Sequence, residues 1–198
     1  MTGASSIDTS VAVRLLAEES GDQCLVAPLR DGVLVAVVDG LGHGPEAAAA
    51  ARAAVEILRA FAGEPLVALL KRCHERLRST RGAVLSLAFF ESGSMTWLGV
   101  GNVDGVLLRG DPRAGGPARL LVRGGVVGRR LPALDAAQLR VERGDVLVLA
   151  TDGVESGFAE ALGLTGSTRN IADGILARYG KATDDALVMV ARYLGEDG

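Results

Sequence analysis

The 198-residue sequence predicts an α+β fold: two mainly antiparallel sheets stacked face to face and flanked by helices, a four-layer α-β-β-α sandwich. Strand-like apolar runs come in two batches with a helical pair between them. Further helical segments precede the last strand, and tight turns, which suit antiparallel pairing, join most of the strands.

Residues 11–16 and 23–28 are short apolar runs separated by Ser20-Gly21-Asp22. Asp31-Gly32 is a two-residue turn signal that folds residues 25–38 into a hairpin. Helices are expected over 45–62 and 65–80, parted by Gly63-Glu64. Each has a proline in its first turn, where the missing N–H does no harm. In the first helix Ala47, Ala50, Ala51, Ala54, Val55, Leu58 and Phe61 recur at helical spacing and form one face to bury. Strands return at 83–90, 95–101 and 103–108, separated by Ser92-Gly93-Ser94 and a Gly101-Asn102 corner. A loop at 110–117 leads to strands at 118–122 and 126–127. Strands at 138–141 and 145–150 are joined by the Arg143-Gly144 turn. Helices at 154–162 and 168–179 precede the final strand, 186–193. No repeat and no long linker divides the chain, so residues 1–198 read as one domain.

A hydrophobic content of 48% and a formal net charge of −3 suit a soluble domain that buries its core without disulfides. That charge leaves no basic footprint for nucleic acid. Lys71-Arg72-Cys73-His74-Glu75-Arg76 reads as a solvated helix face, with His74 on the surface. Cys24 and Cys73 lie far apart with no CxxC spacing, as in a reduced cytosolic protein. The first residues lack the basic-then-apolar pattern of a secretory leader, and no apolar run approaches the ~18 residues of a membrane span. The expectation is a cytoplasmic monomer without nucleic-acid or membrane partners.

The chemistry concentrates where apolar strands end in acids. Residues 32–38 run straight into Asp39-Gly40-Leu41-Gly42-His43-Gly44. A carboxylate at the end of a buried strand is costly to desolvate unless a positive group meets it, and a divalent metal is the usual one. The glycines let backbone carbonyls and a phosphate come close. The same logic returns at Asp152-Gly153 after 146–150, where an N-cap role competes with a ligand role. Asp184-Asp185 opens the last strand, and two adjacent acids there repel each other unless a cation relieves them. Asp22 reads as a turn residue or as an acid behind the ligands, and His43 as a proton donor or a loop cap. Carboxylate and carbonyl oxygens suit Mg²⁺ or Mn²⁺, whereas zinc prefers histidine and cysteine. No Walker-type phosphate loop and no Gly-x-Ser-x-Gly elbow is present.

Asp39-Gly40, Asp152-Gly153 and Asp184-Asp185, in this order and these contexts, resemble the PPM family of metal-dependent Ser/Thr protein phosphatases. Residues 38–44, 99–103, 125–128 and 144–147 look like its bacterial SpoIIE/RsbU branch. The resemblance implies two Mn²⁺ or Mg²⁺ ions. Asp39 would touch both, the Gly40 carbonyl one, and Asp152 and Asp184 the other, with Asp22 orienting water and Asp185 as a neighbour. It also implies hydrolysis of phosphoserine and phosphothreonine in phosphorylated STAS-domain proteins of the stressosome. An anti-anti-sigma factor as substrate and a catalytically silent binding module are the alternatives. Eukaryotic relatives place a histidine directly after Asp-Gly as a proposed general acid. Leu41 stands there in this chain and His43 is displaced, so the leaving-group proton is expected from water. The arginine that holds phosphate in those relatives has no match here. With no regulatory segment evident, the expectation is an enzyme active once metal-loaded.

Overall fold

The computed structural model describes residues 5–16, 19–161 and 166–196. Two five-stranded sheets form its centre. In one, the order is β1 (Ser5–Arg14), β10 (Ala186–Glu196), β9 (Val146–Ala150), β6 (Asp104–Leu108) and β7 (Ala118–Leu120). In the other it is β2 (Asp22–Leu29), β3 (Gly32–Gly40), β4 (Ala83–Glu91), β5 (Ser94–Val100) and β8 (Ala137–Arg140). Every adjacent pair is antiparallel. Helices α1 (Pro45–Ala60) and α2 (Leu66–Leu77) cover the β2–β8 sheet, and α3 (Thr168–Tyr179) covers the other.

Central strands buried on both faces read as unbroken apolar runs. On β3, Leu34, Ala36 and Val38 pack under α1 and α2, while Val33, Val35 and Val37 pack between the sheets. On β9, Val146, Val148 and Ala150 meet α3, and Leu147 and Leu149 enter the inter-sheet layer. The period of two carries past the strand ends. Asp39 shares parity with Val35 and Val37, and Thr151 with Leu147 and Leu149, so both continue the inter-sheet face.

Several expected elements are corrected. The helix expected at 154–162 is only a short 3₁₀ turn, Phe158–Ala161, and Leu162 lies outside the described residues. Val154 bridges to Gly180, and Gly157 has a positive φ of 101°, so no helix starts there. One helix rather than a pair therefore covers the second sheet among the described residues. The turn at Arg143-Gly144 does not make a hairpin: β8 pairs with β5, whereas β9 pairs with β10 and β6 in the other sheet. Gly101-Asn102 is a second such crossing, between β5 and β6. β1 begins at Ser5, because pairing with β10 holds a segment whose own sequence is largely polar. Residues 126–127 form only isolated bridges. Pro65 caps α2 from just outside it, and α1 ends at Ala60.

Candidate active site

A cleft of about 900 Å³ opens at the edge where the strand ends of both sheets meet. Asp22 starts β2 and Asp39 is the penultimate residue of β3, directly opposite each other in register. Asp152 follows β9, and Asp184 and Asp185 precede β10. All five aspartates line this cleft. No lysine or arginine is among the described residues that line it, and Glu19 adds a further acid.

Burial is uneven. Asp22 is buried, Asp39 and Asp185 are partly covered, and Asp152 and Asp184 are exposed. Desolvation pushes the Asp39 carboxyl up to about 8, and the charges of Asp22, Asp152, Asp184 and Asp185 push the same way. Desolvation likewise raises Asp22 to about 7, against the opposing hydrogen bond from Thr151 and with help from Asp185, Asp152 and Asp184. Facing carboxylates of this kind titrate as a pair. A site that penalises its own negative charge on two acids, with three further aspartates lining the same cleft, suits a hard dication. Among the described residues, no three His, Cys, Asp or Glu side chains are gathered closely enough to hold an ion as they stand.

The glycine after each strand-end acid has a packing reason. A Cβ on Gly40 would run into the Ala47 carbonyl oxygen at the start of α1. One on Gly153 would run into the Asp185 carbonyl oxygen. Gly40 is buried behind the cleft, its N–H donated to the Gly21 carbonyl at 3.0 Å. His43 is exposed on the loop between β3 and α1, flanked by Gly42 and Gly44 with φ of 91° and 76°. That loop is braced by the Arg81–Glu46 ion pair.

A profile of the family described as stage II sporulation protein E (SpoIIE) matches residues 30–194. The chain belongs to the SpoIIE family. Phosphoserine phosphatase RsbX of Bacillus subtilis (strain 168) is 32% identical over 77 residues, or 38% of this chain and 39% of that protein. A chain solved in work on the bacterial stressosome, described as a modular system adapted to control secondary messenger signalling, superposes with a TM-score of 0.84. It is 31% identical, and the match covers 94% of this chain and 100% of that one. RsbX in complex with magnesium also gives a TM-score of 0.84, at 22% identity over 94% of this chain and 95% of that one. The match spans well under two thirds of the curated RsbX relative, and this SpoIIE-family chain shares the fold of RsbX solved with magnesium.

The structure brings together every acid that the sequence pointed to, and adds partners that it did not. Thr151 is buried; its hydroxyl donates to Asp22 Oδ2 at 2.8 Å and accepts the Leu187 N–H at 2.9 Å. The available signal was a hydroxyl closing an apolar strand immediately before Asp-Gly. Asn102 Nδ2 donates to Asp152 Oδ2 at 2.8 Å, and the Leu16 N–H donates to Asp185 Oδ1 at 2.7 Å. Lys181 Nζ donates to the Asp152 carbonyl at 2.6 Å, a contact with no local sequence signature. His74 is no free surface residue: its Nδ1 accepts the Gly128 N–H at 3.0 Å and ties α2 to that loop.

Proposed function

We propose that this SpoIIE-family domain hydrolyses phosphoserine and phosphothreonine esters on proteins with two divalent cations, Mn²⁺ or Mg²⁺. The observation that carries the reading is five aspartates from four separate chain segments lining one cleft whose described lining holds no lysine or arginine. Asp39 would be shared by both ions, with the Gly40 carbonyl on one and Asp152 and Asp184 on the other. Bound there, the ions supply Lewis acidity and cancel the negative charge of the phosphate.

The chain's own residues do the rest. Asp22, anchored at Oδ2 by the Thr151 hydroxyl, lines the cleft and would orient water there. Asp185, fixed by the Leu16 N–H, stands beside Asp184 as a neighbour. With two cations to activate it, water would attack phosphorus directly, with no phosphoenzyme needed. His43, at the mouth, is off the position after Asp-Gly, so water protonates the departing seryl oxygen.

The substrates we propose are phosphorylated STAS-domain proteins of the stressosome, supported by the similarity to RsbX and to the stressosome-derived chain. The enzyme is proposed as a monomer, and two free cysteines accord with a reducing, cytoplasmic compartment. Among the described residues no helix is long and apolar enough to cross a membrane. Phosphate release from a phosphorylated STAS scaffold protein and from a phosphorylated anti-anti-sigma factor, compared under the same Mn²⁺ concentration, tests the substrate. Higher kcat/KM on the scaffold is expected, and preference for the anti-anti-sigma factor would overturn the stressosome assignment.

A further inference from the structure

Asp152 is exposed and stands on a turn beyond β9, yet it is held at several points. Its carbonyl accepts from Lys181 Nζ at 2.6 Å, and the Lys181 N–H donates to the next carbonyl, that of Gly153, at 2.8 Å. The Thr151 N–H just before it donates to the Leu187 carbonyl at 3.1 Å. These contacts fix the main chain. The carboxylate itself is fixed by one donor, Asn102 Nδ2, at 2.8 Å from Oδ2.

Asn102 sits on a rigid corner. The Gly101 N–H donates to the Arg123 carbonyl at 2.9 Å, and the Arg123 N–H donates back to Gly99 at 3.0 Å. The Val103 carbonyl accepts the buried Ser86 hydroxyl at 2.8 Å. Gly101 has φ of 105°, and a Cβ there would collide with the Val84 side chain. A carboxylate only accepts, so the amide nitrogen, and not its oxygen, must face Asp152.

We infer that Asn102 is a positioning residue, which holds Oδ2 of Asp152 so that Oδ1 is presented to a divalent cation. The inference rests on the two-cation reading above. The residue type is informative. An aspartate at this corner would add a like charge, and a lysine would cancel the negative field that draws the cation. An amide supplies a directed donor and leaves the charge of the cleft unchanged. Partners of this kind behind a ligand are worth ~10–100-fold in metal affinity, because they spare the ligand the entropy of ordering.

The test is calorimetric titration of Mn²⁺ into EDTA-stripped full chain, for the wild type, Asn102→Ala, Asp152→Asn and the double variant. Asn102→Ala is expected to weaken Mn²⁺ binding by roughly 10-fold or more, with an unchanged metal-free melting midpoint because the lost bond is exposed. In the Asp152→Asn background the same change should have no further effect, since Asn102 acts only through that carboxylate. Asn102→Leu keeps the shape without the donor and should repeat the Asn102→Ala result. A wild-type isotherm from Asn102→Ala would overturn the inference, and so would equal weakening in both backgrounds, which marks a merely structural corner. A wild type that takes up no Mn²⁺ sinks the two-cation reading itself and this inference with it. Normal uptake with no variant effect sinks the inference alone.

Discussion

Asp22 and Asp39 face each other across the β2–β3 pair, and each is raised towards neutrality by burial and by the other acids of the cleft. Ordinary carboxyls titrate near ~4 in an unfolded chain. Between that value and about 8, the metal-free folded state therefore binds more protons than the unfolded one. The stability these two carboxyls contribute is fully present below ~4 and is lost as pH rises through about 7 and 8. Melting midpoints of EDTA-stripped protein should accordingly fall between pH 5 and pH 8. Asp39→Asn should flatten that slope and raise the midpoint at pH 8; a midpoint that climbs with pH would contradict the assignment. In kcat, Asp39→Asn should cost on the order of 10²-fold or more, and His43→Ala far less, because Asp39 would serve both cations. The reverse ranking would make His43 the proton donor. Thr151→Val strips the partner of the buried Leu187 N–H as well as that of Asp22, so chemical denaturation should show a loss of ~1–3 kcal/mol.

Strands β3, β9 and β10 were legible because burial on both faces leaves continuous apolar runs, and their terminal acids announced the site. The crossings between sheets were not. At Arg143-Gly144 and Gly101-Asn102 a short glycine turn can close a hairpin or pass the chain to the other sheet, and only long-range pairing decides. Asn102 and Lys181 stayed hidden for a related reason: the residues they hold are 50 and 29 positions away. The failed helix at 154–162 shows apolar spacing yielding to Gly157 and to the Val154–Gly180 bridge. The sequence predicts carbonyl access at Gly40, and the structure adds close packing there and at Gly153. Gly153→Ala must displace the Asp185 main chain, so it should cost ~1–3 kcal/mol or more in urea and impair Mn²⁺ binding. An unchanged urea midpoint would show that the turn has slack.

The whole molecule is a sandwich whose two sheets bring acids from both ends of the chain to one edge, so cation binding couples to the global fold. A ligand bound only by the folded state stabilises it by RT ln(1 + [L]/Kd), about 2.7 kcal/mol at a hundredfold excess over Kd. Mn²⁺ should raise the melting midpoint, and more at pH 8 than at pH 6, because protons compete for Asp22 and Asp39 at the lower pH. Cys24 and Cys73 are free, so no disulfide would mask this shift. The most direct test of the central claim is phosphate release from p-nitrophenyl phosphate as Mn²⁺ is titrated into EDTA-stripped protein. The account predicts no release without metal, a rise that saturates with Mn²⁺, and a rate from Asp39→Asn that stays far below wild type at every Mn²⁺ concentration. Full turnover by the stripped wild type, or by Asp39→Asn, would contradict it.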